Sequence, residues 1–464
     1  MSQQIPLLIA ISLLILFYLI KDYNYLRIWI TYHRIQTSIA KNNYKHKSRQ
    51  SSFPTKRPRC PLCEDEKMTK SKAITEPPPL IMNTLGRPRT IDTDMHYCPN
   101  KHCEYYGWIA KGNISGNGHP NSSIWRKMKC VVCGKYFMET QGTPFYRSKT
   151  SPETIILALK ALAEGLGIQA TARVFDVEAD TIQDWLRQSA KHMEAVSRYL
   201  IHDLHLAQIQ VDELWTLLGE RDELGQRNTR WIWSAIDSES KLWLGFLIGD
   251  RSLESAQVFI HHLSQLLAPG CVPLFLSDRW NQYAVALLTH FGHLVQVYSE
   301  YGRKLSRWMP LPGLRYAQVV KHRIRQRIVH VSQVVVYGDS VRSRIKETIG
   351  NMINTSFVER MNLTLRHHVP ALARRTIQIA KTALGLEQQL SLTGGYYNFC
   401  LPHISLRQPL QEPVPTKGNG SPKLWEPRTP AMAAGITDRI WKMEELLLFR
   451  PPPWHQAMSE RKAA

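Results

Sequence analysis

Between residues 208 and 278 four short apolar segments follow one another, IQVDELW, RWIWSAID, KLWLGFLIGD and VPLFLSD, and only before the last does a longer stretch, SLESAQVFIHHLSQLL, take on helical periodicity. Segments this short and rich in branched and aromatic residues read as strands, and the longer one as a helix. Strands first, then a helix and a strand, describe a mixed α/β sheet. No other stretch constrains the fold as tightly.

Two of those strands carry a carboxylate at or near their ends, Asp212 and Asp278. A third acid sits in INTSFVERMNLTLRHH, residues 353–368. Read as a helix, this stretch places Glu359, Asn362 and Arg366 at i, i+3 and i+7 along one line, while Val358, Met361 and Leu365 repeat the spacing on the neighbouring face. One face packs and the other presents a carboxylate and a guanidinium. Three acidic groups could therefore converge. Transfer of a phosphoryl group between nucleic-acid strands needs an attacking oxygen, a leaving oxygen and neutralisation of the developing charge. Two magnesium ions (or Mn2+) about 3.5–4 Å apart supply all three, and three carboxylates suffice to hold them. Arg366 could then grip a phosphate bidentately. Taken singly, an acid at a strand end is as readily a solvated terminus, and Glu213, Asp237 and Asp250 compete for the same role.

Six of the eight cysteines lie between positions 60 and 133, as the pairs Cys60/Cys63, Cys98/Cys103 and Cys130/Cys133. Thiolates two to four residues apart can share a zinc ion, and a structural tetrahedral site needs two such pairs. Cys98, Cys103, Cys130 and Cys133 close the shorter loop, and Gly134 follows as a turn residue should. A zinc ribbon of this kind holds a module too small to bury a core and supplies no chemistry. Cys60 and Cys63 are left over. They could bind a second zinc with His96, His102 or His119, or substitute for the middle pair.

After the cysteines, residues 151–196 show helical periodicity broken at Gly165, Gly167 and near Asp176, which gives three helices. GIQATARVFDVEADTIQDWL has the length of a helix-turn-helix, with small Ala170 and Ala172 for close packing and a second helix starting near Asp180 that would enter a major groove. The turn lacks glycine, and Glu178, Asp180 and Asp184 make the second helix acidic. An ordinary three-helix packing unit is the alternative.

The 59 Lys and Arg against 38 Asp and Glu give a net charge of +21, a field that attracts nucleic acid or an anionic membrane surface. Arg303, Lys304, Arg307, Arg315, Lys321, Arg323, Arg325 and Arg327 concentrate part of it between the second and third carboxylates. Near the start, residues 5–20 form a charge-free run of 16. As a helix this spans about 24 Å, short of a hydrocarbon core of about 30 Å. Ten Lys and Arg against Asp22 alone follow from Lys21 to Arg59, so an anchored chain would keep everything downstream in the cytoplasm. An upstream start codon, or a helix buried in an oligomer, is the alternative reading of that run.

VDELW, LFLSD and NTSFVERMNLTLR, followed by YYNFCLPHISLR, resemble an insertion-sequence transposase with a DDE triad on a ribonuclease-H-like fold. CPNKHCEYYGW to CVVCGKYF, ETQGTPFYR and GLGIQATARVF look like the N-terminal half of the longer transposases related to the insertion-sequence-one family, and the resemblance spans roughly residues 80–450. It implies Asp212, Asp278 and Glu359 as catalytic metal ligands, Arg366 as a DNA contact, and double-stranded DNA, at element ends and target, as the partner. With it, Arg360, Arg323 and Arg325 become candidate DNA-binding residues. The segment 397–403 matches a landmark of the family whose role reads as packing. Two departures stand out: Arg279 and Trp280 follow Asp278 where relatives tend to have a small residue, and the apolar N-terminus lies outside the pattern.

The expected organisation is an apolar segment and basic linker over 1–55, the zinc-binding region over 56–147, the helix-turn-helix over 148–203, the ribonuclease-H-like domain over 204–403 and a C-terminal tail over 404–464. The expected function is magnesium-dependent transposition in a prokaryotic cytoplasm or nucleoid by a homo-oligomer, tethered to the inner membrane if residues 5–20 insert. The alternatives are a non-catalytic DNA-binding regulator derived from a transposase and a membrane-tethered nuclease. Replacing Cys130 with Ala should remove one zinc equivalent by elemental analysis; an unchanged zinc content would exclude the 98/103/130/133 site.

Overall fold

A computed structural model of the chain describes residues 54, 56–65, 76–80, 91–120, 123–221, 227–298, 304–325, 327–338, 354–416 and 420–456. The apolar run 5–20, most of the basic linker behind it and Arg303 lie outside them. Among the described residues no helix is long and apolar enough to cross a membrane. The described residues fall into two units, one drawn from 58–292 and 310–456 and the other from 54–57 and 293–309.

A short helix, α1 (Pro61–Asp65), precedes a small antiparallel sheet of β1 (Ile114–Gly116), β2 (Lys127–Cys130) and β3 (Tyr136–Met138). Three helices follow: α2 (Pro152–Ala163), α3 (Ile168–Phe175) and α4 (Ala179–Leu200). Ser151 caps α2 by accepting from the Thr154 amide at 3.3 Å, with Pro152 behind it, where its missing N–H costs nothing. Between α3 and α4 the chain turns through Asp176 at φ 52°. Aspartate tolerates this left-handed conformation better than most residues, which is how the turn dispenses with glycine.

The main sheet begins with β4 (Gln208–Arg221), β5 (Arg227–Asp237) and β6 (Trp243–Gly249), and continues through α5 (Leu253–Leu266), β7 (Leu274–Asp278) and α6 (Gln282–His290). β8 (Gly292–Tyr298) and β9 (Lys304–Pro310) form a separate two-stranded sheet among the described residues. In that second unit the Trp308 amide donates to Pro54 and Arg57 lies over the Trp308 ring. The chain then adds β10 (Arg315–Ile324), β11 (Arg327–Tyr337), α7 (Ser356–His368) and α8 (Ala383–Gly395), and ends with β12 (Gln408–Val414), β13 (Lys423–Glu426), α9 (Pro430–Ala433) and α10 (Met443–Leu448).

The six strands of the main sheet lie in the order β11-β10-β7-β4-β5-β6. β4, β5 and β6 are antiparallel neighbours, as short connections require, whereas β7, reached across α5, joins β4 in parallel and β10 joins β7 likewise. This mixed α/β sheet is compatible with a ribonuclease-H-like fold.

Alternation along β4 divides the core between the two faces of the sheet. Ile209 and Val211 pack with Trp233, Phe259, Phe275 and Tyr283 under α5 and α6, in a cluster that runs on into Leu159, Ile182 and Trp185 of the helical segment and Leu446 and Leu447 of α10. The opposite face carries Leu214, Ile232 and Trp243 against Val358, Met361, Leu365 and Leu390 of α7 and α8. Buried side chains of this kind each contribute about 1.5–3 kcal/mol. Beyond α8, residues Tyr396–Cys400 form a π-helical turn. There the buried Asn398 accepts from the Trp243 amide and donates to the Trp243 carbonyl, both at 2.9 Å, so its side chain pairs with β6 as a further strand would.

One polar side chain sets the position of α7. Gln210, fully buried on β4, accepts from the amides of Phe357 at 3.0 Å and Val358 at 3.1 Å, which have no partners within the helix. A Gln210→Leu chain keeps the volume and loses the acceptor, so its urea midpoint should fall by the equivalent of about 1–3 kcal/mol. An unchanged midpoint would show that α7 is held by its apolar face alone.

Candidate active and metal sites

The register of β4 and β7 brings the first two carboxylates together. Gln210 pairs with Leu276 in the parallel ladder, so Asp212 and Asp278, two residues further along each strand, stand side by side on one face of the sheet. Carboxylate oxygens of Asp212, Glu213 and Asp278 lie within 4.8 Å of one another. Glu213 reaches this group from the other face, where its side chain is 1% exposed and takes Nη2 of Arg251 at 3.0 Å. The same guanidinium lies over the rings of Trp231 and Trp280, at 4.7 and 5.4 Å. Trp280, the second residue after Asp278, therefore helps build the aromatic wall beside Arg251.

The third carboxylate comes from α7. Glu359 accepts from the Thr355 hydroxyl at 2.7 Å and forms an ion pair with Lys321 of β10. Its charge acts on both aspartates, but it stands outside the close group of three acids. One turn on, Asn362 donates to Oδ2 of Asp212 at 2.8 Å. Asn362 is thus a second direct link between α7 and β4, beside Gln210. Arg366 follows on the same face, partly buried and within electrostatic reach of Asp212 and Arg374.

Burial and mutual repulsion raise these acids. Asp212 is pushed up to about 7, first by desolvation and then by the charges of Asp278, Glu213 and Glu359. Asp278 is raised by burial, against the opposing pull of Arg251 and Lys321. Among the described residues, Oδ1 of Asp278 and Oε1 of Glu213 are buried without a hydrogen-bond partner. Clustered carboxylates with orphaned oxygens suit a divalent cation, which satisfies oxygen and repulsion together.

Two of the competing acids have structural partners instead. Asp237 accepts from the amide and hydroxyl of Ser240 in the β5–β6 turn. Asp250 accepts from the hydroxyls of Ser252 and Ser255 at the start of α5. Of the arginines singled out by sequence, Arg360 is exposed on α7 and Arg325 is exposed at the tip of the β10–β11 hairpin, at φ 45°, while Arg323 lies on β10. Lys321, from the same basic stretch, is committed to Glu359. Lys304 and Arg307 lie on β9 in the second unit.

Four cysteines meet at the small sheet. Sγ atoms of Cys98 and Cys133 are 3.6 Å apart and those of Cys103 and Cys130 are 3.9 Å apart, with all four within 4.8 Å of one another. A tetrahedral zinc with bonds of about 2.3 Å sets its sulfur edges near about 3.8 Å. Burial pushes the Cys98 thiol well up and that of Cys103 up to about 11, so loading the cluster must release protons. Cys60 and Cys63 do not meet His96, His102 or His119. They lie against α5 and α6, with His261 and His290 completing a second group of four donors. The reason is that α1 packs on α5, away from the small sheet.

No protein-family model matches the chain, and no curated protein matches it. Among solved structures it is similar to a chain of the "Crystal structure of the Mos1 Strand Transfer Complex", with 14% identity over 30% of this chain and 55% of that one, and a TM-score of 0.12. With an overlap of that size, function has to be read from the chain's own residues.

The raised Asp212 has a defined consequence for stability. Between the unfolded value near 4 and the folded value near 7 the native chain holds a proton that the unfolded chain has released, so metal-free stability should fall as pH rises through that window and then level off. Magnesium should therefore raise the melting temperature more at pH 8 than at pH 5, and Asp212→Asn should narrow the difference. Equal magnesium shifts at both pH values, measured by scanning calorimetry, would contradict the assignment.

Proposed function

We propose that the chain is a DNA transposase that cleaves element ends and joins them to target DNA. The observation that carries this reading is the closeness of the Asp212 and Asp278 carboxylates on adjacent parallel strands, beneath a helix that presents Glu359, Asn362 and Arg366 in line. Asp212, Asp278 and Glu359 would hold magnesium or manganese, with Glu213 as an additional acid beside them. When bound, the ions neutralise charge on a phosphate undergoing in-line displacement and favour both the attacking and the leaving oxygen.

The chain's own residues then orient the DNA. Asn362 holds Oδ2 of the Asp212 carboxylate through its side-chain amide. Arg366, with Arg374 and Arg375 exposed beyond α7, supplies guanidinium groups for the phosphates that flank the scissile one. The exposed Arg360 and Arg325 would extend the basic surface that a duplex of high negative charge follows, and Arg323 of the same basic stretch is a further candidate contact. In the reaction, water attacks the phosphate at the element end, and the freed 3′-hydroxyl in turn attacks a phosphate of the target. The cysteine module and the α3–α4 pair would recognise the ends. Joining two ends calls for a dimer or a larger assembly, placed at the nucleoid by its DNA partner. Residues 5–20 would add a tether to the inner membrane.

Purified chain given its flanking genomic DNA ends and magnesium should cleave and join strands. Asp278→Asn and Glu359→Gln should each lower the joining rate by about 100-fold or more, the scale on which loss of one charge-stabilising group acts, while binding to the ends persists. Joining at the unaltered rate by either variant would remove the triad from the mechanism.

A further inference from the structure

The four donors under α5 and α6 come from parts of the chain that lie far apart. Sγ of Cys63 is 3.4 Å from Nδ1 of His261 and 3.6 Å from Nε2 of His290, across 198 and 227 residues of sequence. Cys60, 2% exposed, completes the group, and one donor atom from each of the four residues lies within 4.8 Å of the others. A tetrahedral zinc with bonds of about 2.3 Å to sulfur and 2.0–2.1 Å to nitrogen sets its sulfur–nitrogen edges near about 3.5 Å. The observed separations match that edge.

The imidazole of His290 carries a second, independent sign. Its Nδ1 lies 2.9 Å from the Ala286 carbonyl, which can only accept, so Nδ1 bears the proton and Nε2 presents a lone pair toward Cys63. A ligating histidine is held in this way by a bond from its other nitrogen. His261 is 5% exposed, and α1 seats Cys60 and Cys63 directly on α5, where Sγ of Cys60 also approaches the Gln257 carbonyl.

We propose that Cys60, Cys63, His261 and His290 bind a structural zinc ion that fastens α1 to α5 and α6. Two thiolates and two neutral imidazoles fill a tetrahedral shell and leave no open position, so the site is closed to substrate. Its ligands close a loop of roughly 200 residues, and the ordering of that loop is linked to metal binding. The two helices are those that bracket β7: Arg251 precedes α5, and Asp278 lies just before α6. The metal thus braces the side of the sheet that supports the carboxylates. The proposal stands whether or not the chain joins DNA.

X-ray absorption at the zinc edge of the full chain, purified under reducing conditions with zinc supplied, tests this directly. With both cysteine groups loaded, the average environment should be three sulfurs and one nitrogen per zinc, and elemental analysis should give two zinc per chain. Cys63→Ala should lose one zinc equivalent and the nitrogen signal together, and Cys63→His should retain the metal. Cobalt in place of zinc should give a mixed sulfur–nitrogen spectrum that Cys63→Ala lacks, and zinc removal should lower the melting temperature of the wild type by several degrees more than that of Cys63→Ala. An all-sulfur environment in the wild-type chain, a zinc content unaffected by Cys63→Ala, or a Cys60–Cys63 disulfide in place of bound metal would overturn the proposal.

Discussion

The first turn of a helix buried inside a protein leaves amides that must find acceptors or pay their full desolvation, and α7 finds its acceptor on the neighbouring sheet. The Gln210 amide oxygen takes two of those N–H groups from a position two residues before Asp212. Strand and helix are therefore joined by hydrogen bonds of fixed direction, where an apolar seam alone would let the helix slide by a turn. Asn362 repeats the link from the helix side. Between these two contacts the line of Glu359, Asn362 and Arg366 has one place to stand, over the aspartates.

The charges around the site divide in a telling way. Arg251 is matched to Glu213 on one side of the sheet and Lys321 to Glu359 on the other, and among the described ion pairs none involves Asp212 or Asp278. The two central acids thus keep their repulsion while the outer two are balanced. Burial magnifies that repulsion, because little water is present to screen it. On the Arg251 side, Trp231 and Trp280 flank a guanidinium that is still partly open to solvent, and Trp280 packs on the buried Trp233.

Much of the framework was legible in the sequence because it is local. The apolar segments became β4, β5, β6 and β7 in the expected order, and the i, i+3, i+7 spacing within residues 353–368 put Glu359, Asn362 and Arg366 on one face of α7. What depended on strand register was hidden. Glu213 points to the opposite face from Asp212, and its carboxylate reaches the same group through local geometry that alternation does not encode. Lys321 read as one basic residue of a run, yet β10 delivers it to Glu359. His261 and His290 sit in apolar helices, where a histidine usually reads as part of the core, and their thiol partners are some 200 residues away. Asp176 resolved a local puzzle, since a turn that seemed to need glycine used the left-handed tolerance of aspartate. Asn398 gave the landmark after α8 a definite task, the pairing of a side-chain amide with β6.

The dependence of α7 on Gln210 also orders events in time. The amides that Gln210 receives lie 147 residues further along the chain. At a synthesis rate of about 5–20 residues per second, that separation is roughly 7–30 s of translation. In about the second half of that interval the strands bearing Asp212 and Asp278 have both been made, while Glu359 and its helix have yet to follow. A nascent chain therefore passes through a stage with a sheet and two aspartates but no third acid and no Arg366, and full assembly of the group waits for the final quarter of the polypeptide.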